Sequence, residues 1–272
     1  MKRLFFIFVL LFTITTLLYS GVVITRFEMG VETKELYYNN RFAELHNDRI
    51  VMMWDFNTFE LTLINHPLRI YTTIDYESFK EISHRENMDE IRNEIDMLGE
   101  ERISMMQSAT VQLFRRLRPR HVLADSMMIN GFMTNEYHVF NGDIIIQRLW
   151  ISRALQERIN QEIPREKMAQ VENIFRDNRG NFLFVMGITM DPISILVEQL
   201  ENRGYIMQRM DFGLRERVDE ERDRLIEQLN NTITDISIVN IDPLIFTYHQ
   251  RIYQRLDYDV FQMRMLQEMS TE

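Results

Sequence analysis

Short runs of alternating apolar and polar residues follow one another in the first third of the chain. Each run is rich in β-branched or aromatic side chains, and they cover residues 34–38, 41–46, 49–54, 59–64 and 68–73. The breaks between them contain Asn39-Asn40, Asn47-Asp48, Asp55 to Thr58 and Asn65-His66-Pro67, which are residue types that tolerate turns. A period of two with such breaks predicts strands joined by tight turns. We therefore expect an antiparallel meander here.

The pattern then changes to helical spacing between Glu77 and Arg118. Apolar residues recur at steps of three, four and seven, which places them on one stripe of an amphipathic helix. They are Phe79, Ile82, Ile91, Ile95, Leu98, Met106, Ala109, Leu113 and Leu117. We expect Gly99 to kink this long helix and Pro119 to end it.

A second pair of strands is predicted on either side of Asn141-Gly142, at residues 131–140 and 143–151. Asn-Gly between two such runs favours a hairpin with a type I′ turn, in which both central residues have positive φ. Asp191 and Pro192 predict the start of a helix that continues to Asn202, because Asp is a common helix cap and Pro fits the first helical position.

The remaining segments carry weaker patterns. Residues 152–177 are a helix candidate that Pro164 divides, and residues 215–230 are charged and ambiguous. Further strands are predicted at residues 182–186, 204–212, 233–241 and 244–256. All these elements predict one α+β domain over residues 21–272. Its curved antiparallel β-sheet would form an incomplete barrel, with the long amphipathic helix inserted and further helices packing on it.

The N-terminal segment has the layout of an export signal. Met1-Lys2-Arg3 is basic, no charged residue lies between Leu4 and Thr25, and Ser20 is a small residue after the apolar core. This predicts a signal peptide over residues 1–20. The alternative is an uncleaved anchor over residues 4–25, because the uncharged stretch just reaches the ~20 residues that cross a bilayer. In both cases the rest of the chain is expected outside the cytoplasm, in the periplasm or anchored to the inner membrane.

Composition narrows the function further. The chain has no cysteine, which excludes a disulfide, a thiolate metal site, a cysteine nucleophile and a lipidated N-terminal cysteine. The net charge is −10, and it becomes −12 without residues 1–20, which hold two basic and no acidic residues. This overall charge argues against nucleic acid and against electrostatic docking on anionic lipid. Contact with a membrane is therefore expected only through the N-terminal segment, if it stays uncleaved.

Catalytic motifs are not visible in the sequence. None of the six histidines is paired with another at a spacing of three or four, so the helical zinc motif is absent. The sequence also has no Gly-x-Ser-x-Gly elbow and no glycine-rich phosphate loop. We therefore expect a protein that is not an enzyme and that needs neither cofactor nor metal.

Three segments resemble a known family when they are taken in order. They are residues 50–76 with Trp54-Asp55-Phe56-Asn57-Thr58, the long helix, and residues 129–152 with Ile129-Asn130-Gly131-Phe132 and Leu149-Trp150-Ile151-Ser152. This order is similar to a family of exported bacterial proteins that is catalogued as a domain of unknown function. The resemblance implies the half-barrel fold of the periplasmic lipoprotein carriers, an incomplete β-barrel closed by helices. It also implies a hydrophobic ligand or partner, and it carries no catalytic residues.

Methionine is unusually frequent, with nineteen residues. Three interpretations stay open: methionine fills gaps in a large core, lines a deformable apolar pocket, or binds Cu(I) through thioethers. Irregular spacing of the methionine clusters weakens the copper interpretation. If a groove exists, the residues expected to line it are Met52, Met53, Trp54, Met106, Ala109, Leu113 and Trp150.

One dense basic run stands out, with Arg115, Arg116, Arg118 and Arg120. These arginines either complement the C-terminal end of the long helix or recognise an anionic lipid head group or an acidic partner.

The favoured hypothesis is a non-enzymatic binding protein of the cell envelope, with an apolar groove for lipid, an acyl chain or a lipoprotein-like partner. The alternative is a structural or interaction protein of the envelope with a packed core and no ligand. A hydrolase with dispersed carboxylates ranks last.

Overall fold

The computed structural model describes residues 20–28, 30–185, 190–212 and 232–270. The predicted signal segment up to residue 19 and the ambiguous stretch 215–230 therefore lie outside the described residues. The strands are β1 (Ser20–Glu28), β2 (Val31–Tyr38), β3 (Arg41–His46), β4 (Arg49–Asp55), β5 (Glu60–Asn65), β6 (Ile70–Asp75), β7 (Pro119–Ile129), β8 (Phe132–Asn141), β9 (Ile144–Ser152), β10 (Tyr205–Asp211), β11 (Thr232–Asn240) and β12 (Gln254–Arg255).

These strands form one sheet in the order β12-β6-β5-β4-β3-β2-β1-β11-β10-β9-β8-β7. Every pairing is antiparallel except the short one between β12 and β6. The two edge strands, β12 and β7, do not pair with each other, so the sheet is not closed into a barrel. The predicted α+β fold with a curved, mainly antiparallel sheet is confirmed.

Tight turns set the register of the meander from β2 to β6. Asn39 and Asn40 have φ of 43° and 59°, and Asn47 and Asp48 have φ of 51° and 60°. Asn and Asp tolerate this left-handed region better than most residues, and two consecutive positive φ values are typical of a type I′ turn. The turns predicted from these residues are confirmed.

The predicted Asn141-Gly142 turn is wrong by one residue. Asn141 is the last residue of β8 and pairs with Ile144, so Gly142 and Asp143 form the turn. Only Gly142 has positive φ, at 63°, which is the pattern of a type II′ turn. The Asn-Gly pair that does form a type I′ turn is Asn130-Gly131, between β7 and β8, with φ of 47° and 81°.

The helices are α1 (Tyr76–Arg116), α2 (Arg153–Glu162), α3 (Arg165–Val185), α4 (Pro192–Glu201), α5 (Tyr248–Ile252) and α6 (Tyr258–Met269), with a 3-10 turn at Pro243–Phe246. The predicted long helix is confirmed as α1, and Gly99 kinks it with φ of 75°. Pro164 separates α2 from α3 as predicted. Asp191 caps α4, because its carboxylate accepts hydrogen bonds from the backbone N–H groups of Ile193 and Ser194, both at 2.9 Å.

Several predicted elements need correction. Residues 182–185 end α3 instead of forming a strand, and residues 244–256 hold the 3-10 turn, α5 and β12 instead of one strand. Residues 20–25, which the alternative membrane anchor included, belong to β1. In that strand Val22 and Ile24 are fully buried between β2 and β11. Among the described residues, no helix has the length and apolar character needed to span a membrane.

A hydrophobic cluster lies on each face of the sheet. On one face a first cluster includes Trp54, Phe56, Trp150 and residues of α2 and α3, and the start of α1 packs on it through Phe79 and Ile82. On the other face a second cluster includes Met53 and Phe246 of the 3-10 turn. Neighbouring strand residues point to opposite faces. Tyr37 therefore lies in the first cluster, and Leu36 and Tyr38 lie in the second.

A third cluster lies at the other end of the sheet. It joins residues of β8 and β9 to α4 through Val139, Leu149, Val197 and Leu200. Because the three clusters are packed, cavities can form only between them or at their margins.

Candidate functional site

The structure does not bring the predicted groove residues together. Met52 packs against the first cluster, which includes Trp54 and Trp150, whereas Met53 lies in the second cluster on the opposite face of the sheet. Met106 is 43% exposed and Leu113 is 45% exposed. Ala109 is exposed as well. The seven residues expected to line an apolar groove therefore lie at separate places in the structure.

The kink at Gly99 explains why the three α1 residues of this set, Met106, Ala109 and Leu113, lie apart from β4. Beyond Gly99 the half-buried residues are Ile103, Gln107, Thr110 and Phe114, at spacings of four, three and four. Met106 and Leu113 lie on the flank of this half-buried side, and Ala109 lies further round toward solvent. The predicted stripe runs straight across Gly99, but the non-helical φ there shifts the phase of the second half.

A charged cleft lies instead between α3, α4 and the sheet. Helix α3 supplies Arg165, Glu172, Arg176 and Arg179, and their spacings of seven, four and three place them on one face. Helix α4 supplies Ser194, Glu198 and Glu201 at spacings of four and three. Amphipathic helices that bury their apolar faces on the sheet leave such polar flanks facing each other.

Three adjoining cavities make up this cleft. Their volumes are about 400 Å³ between α3 and α4, about 240 Å³ beneath the two helices and about 550 Å³ over β1, β2 and β10. Glu201 lines all three, and Tyr205 lines the second and third. The cavities are therefore lobes around one carboxylate, and each has a volume close to or within the range of small-molecule sites.

The floor of the third lobe is a buried polar network on β1, β2 and β10. Arg26 follows Val22 and Ile24 on the inner face of β1, and Glu35 of β2 pairs with Ile24. Arg26 Nη2 donates a hydrogen bond to the Tyr205 hydroxyl at 2.7 Å. The hydroxyls of Tyr37, at 2.8 Å, and of Tyr205 both donate to Glu35 Oε2. Arg26 Nε lies 3.4 Å from Glu35 Oε1, which completes an ion pair.

In this network the pKa values of Tyr37, Tyr205 and Arg26 are all raised. Burial, followed by the charge of Glu35, raises the pKa of both Tyr37 and Tyr205. Both hydroxyls therefore stay protonated and act as donors at neutral pH. Burial alone would lower the pKa of Arg26, but Tyr205 and Glu35 outweigh it and leave that pKa raised. The floor is a rigid platform of hydrogen bonds.

The rim of the cleft carries further ion pairs. Arg176 Nε lies 3.0 Å from Glu198 Oε1. Arg209 Nη1 lies 3.8 Å from Glu201 Oε1, and Arg209 Nε lies 2.9 Å from Asp211 Oδ2. Burial raises the pKa of Glu201, although Arg209 acts in the opposite direction. The Glu201 side chain is 41% exposed, so a ligand can reach it, and a carboxyl with a raised pKa in a cleft is a common feature of functional sites.

The lining charges of the whole cleft balance. Five carboxylates line the three lobes, from Glu35, Glu44, Glu172, Glu198 and Glu201. Five guanidinium groups line them as well, from Arg26, Arg165, Arg176, Arg179 and Arg209. Such a lining offers both signs of charge to a ligand. Within the described part of the chain, no group of three or more His, Asp or Glu side chains could hold a metal ion.

None of these residues is predicted as a site from the sequence. The helical spacing of charged residues on α3 was the one signal available, and such stripes are usually solvated faces. The contributions of β1, β2 and β10 become visible only once the order of the strands is known.

Comparisons with known proteins add little to this geometry. No family model and no curated protein matches the sequence. One similar solved structure is described as PNGF-II in the C2 space group, with a TM-score of 0.31 and 6% identity; the match covers 89% of this chain and 32% of that one. Another is an uncharacterised conserved protein from Thermus thermophilus, with a TM-score of 0.32, 7% identity, and coverage of 88% and 91%.

The chain thus spans about a third of the first of these two structures. Likeness at this level carries no argument about function. The resemblance to exported proteins with a lipoprotein-carrier-like half-barrel stays a prediction.

Proposed function

We propose that this chain is a non-enzymatic binding protein of the cell envelope and that the charged cleft holds its ligand. The observation that carries the proposal is the meeting of three cavities at Glu201. A cleft built only as a gap between packed helices would not need the network of Arg26, Glu35, Tyr37 and Tyr205 at its floor. Such a network holds its charged groups in place before a ligand arrives.

The ligand that this lining fits is small, polar and amphoteric. An ion of one sign would meet as many like charges as opposite charges. A ligand with both an ammonium and a carboxylate group can pair with each, and it replaces the water that these groups lose. Amino acids and short peptides have this chemistry.

A lipid is supported less well by the geometry. The methionine, tryptophan and leucine residues expected to line an apolar groove are either packed in separate clusters or exposed on α1. An acyl chain in the cleft would instead contact arginine and glutamate side chains, which would lose hydration without a partner. We therefore infer that the chain binds a ligand and that this ligand is small and polar instead of a lipid.

A ligand screen by thermal denaturation tests the proposal. We expect millimolar dipeptides and tripeptides to raise the melting temperature of the full chain, because a ligand that binds only the folded state stabilises it. Fatty acids should not raise it. Glu201→Gln should abolish the peptide effect, whereas Glu90→Gln, on the exposed side of α1, should keep it. A shift with fatty acids alone would refute the polar ligand.

The envelope location has its own test. A reporter fused to the C-terminus should be active only outside the cytoplasm. If the signal is cleaved after Ser20, N-terminal sequencing should begin at Gly21, inside β1. An uncleaved protein in the cytosol would contradict the proposed envelope location, but it would not bear on ligand binding in the cleft.

The alternative is an interaction protein with a packed core and no small ligand. The fully buried side chains of Phe56, Phe246 and Leu155 in two clusters on opposite faces of the sheet favour it. The same screen separates the two functions, since the alternative predicts that no small molecule changes the melting temperature.

A further inference from the structure

Charge is unevenly distributed around the end of α1. The chain has 41 acidic residues and a net charge of −10. Between Arg102 and Ala124, however, no acidic residue occurs, while arginine occurs at 102, 115, 116, 118 and 120. The charge of the whole protein therefore does not describe this segment, because charges are screened beyond a Debye length of about 8–10 Å.

The same segment exposes apolar side chains. Met105 is 66% exposed, and Met106 and Leu113, on the solvent-exposed flank of the helix, are 43% and 45% exposed. The inward side holds Ile103, Gln107, Thr110 and Phe114, which are half-buried. An apolar stripe on the outer side of a helix contributes nothing to the core, and such stripes mark interaction sites.

Helix capping accounts for only some of the arginines. Arg118 Nη1 donates to the backbone oxygens of Arg115, at 2.7 Å, and Leu117, at 2.8 Å, so it caps the C-terminal end of α1. Arg120 donates to Gly142 O at 3.1 Å and lies 3.5 Å from Asp143. Arg102, Arg115 and Arg116 are exposed, and the described residues form no ion pair with them.

We propose that this outer side of α1 binds the surface of a membrane that contains anionic phospholipid. We define the methionine–arginine face as Arg102, Met105, Met106, Ala109, Leu113 and Arg116, which helical spacing places on one stripe. Its arginines would pair with lipid phosphates while its methionine and leucine side chains enter the headgroup boundary, as amphipathic interfacial helices do. This inference is independent of the cleft, and it locates a membrane contact away from the N-terminal segment.

A fluorescent probe tests the contact directly, because the chain has no cysteine that would compete for the label. Met106→Cys in the full chain is labelled with a polarity-sensitive dye and mixed with vesicles of phosphatidylcholine, with or without 30% phosphatidylglycerol. We expect a blue shift with the anionic vesicles only, and its reversal at high salt. Met263→Cys on α6, which is also exposed, is the control and should show no shift.

A second comparison tests the arginines. Arg102→Gln/Arg116→Gln should weaken partitioning of the Met106→Cys probe onto anionic vesicles about twenty-five-fold, since each basic residue contributes about fivefold near such a surface. The exposed control pair Arg251→Gln/Arg255→Gln should change it less than twofold. The N-terminal segment is the same in every variant, so its contribution to partitioning cancels.

Three results would overturn the proposal. They are no shift with anionic vesicles, an equal shift at residue 263, and partitioning that both arginine pairs reduce equally. A shift produced by soluble polyglutamate but not by vesicles would also overturn it and assign the face to an acidic protein partner.

Discussion

His249 lies inside the protein without a hydrogen-bond partner among the described residues, and we predict that it makes the fold sensitive to acid. It is 1% exposed, and neither ring nitrogen is paired. Its ring meets that of Tyr71 edge-on, with centroids 4.8 Å apart. Burial, followed by the nearby His66, lowers the pKa of His249 from 6.5 to about 4. The folded protein therefore keeps this ring neutral where the unfolded chain would protonate it.

The sign and size of the effect follow from proton linkage. Between pH 6.5 and 4 the unfolded state binds a proton at this position and the folded state does not, so stability falls as the pH falls. The stability that depends on a neutral His249 ring is fully present above about pH 6.5 and is lost progressively as the pH falls toward 4. A fall in pKa from 6.5 to about 4, at about 1.4 kcal/mol per pH unit, costs about 3.5 kcal/mol once titration is complete, and about 3 kcal/mol of this is reached at pH 4.

Urea denaturation at several pH values between 7.5 and 4 measures this loss, with Trp54 and Trp150 as buried fluorescent reporters. His249→Phe keeps a ring against Tyr71 and removes the titration. The wild type should lose up to about 3 kcal/mol more than this variant over the range. His84→Gln changes an exposed histidine and should follow the wild type. Parallel pH curves for the wild type and His249→Phe would refute the reasoning.

Three further predictions concern local structure, each measured as a change in the free energy of unfolding. Gly142→Ala should destabilise the protein by about 1 kcal/mol, because the φ of Gly142 is 63°. Gly180→Ala, inside α3 and with open space around it, should stabilise it by about 0.5–1 kcal/mol. Equal effects of the two substitutions would contradict the turn assignment. Asp191→Ala should cost about 1 kcal/mol by removing the cap of α4. Asp257→Ala, at a cap position without a side-chain hydrogen bond, should cost much less. Ala109→Trp should change stability by less than about 0.5 kcal/mol, because Ala109 is exposed; a large loss would place it back in a packed interior.

The sequence predicted the parts of the fold where local chemistry and the final structure agree. The meander from β2 to β6 was visible because Asn39-Asn40 and Asn47-Asp48 suit the turns that the sheet requires. The cap at Asp191 was visible for the same reason. Each of these features depends on residues that are neighbours in the sequence.

Elements without such local signals were missed. Strand β1 continues the uncharged N-terminal stretch without a turn residue, so no change in composition marks its start. Strand β7 lies at the edge of the sheet and is exposed along most of its length, which removes the alternation of buried and exposed residues. The alternation of apolar and polar residues after Leu244 is typical of a strand. In the structure, however, Asp242 accepts a hydrogen bond from the Leu244 N–H at 3.0 Å, and a 3-10 turn begins there.

The candidate site was beyond sequence reasoning for a different reason. Arg26, Glu35, Glu201 and Tyr205 come from β1, β2, α4 and β10, and the Arg26–Tyr205 hydrogen bond spans 179 positions. No local motif joins them. Only the placement of β11 and β10 beside β1 brings these charges to one surface.

The most direct test of the binding role is a calorimetric titration of the wild-type chain with an amphoteric tripeptide that raises its melting temperature. We expect one site, with an affinity that Glu201→Gln and Arg209→Gln each weaken at least tenfold, since a hydrogen bond to a charged group contributes about 1.5–3 kcal/mol. Glu157→Gln, on the exposed surface of α2, should leave the affinity unchanged. Equal affinity in all four proteins would contradict a ligand site in the charged cleft.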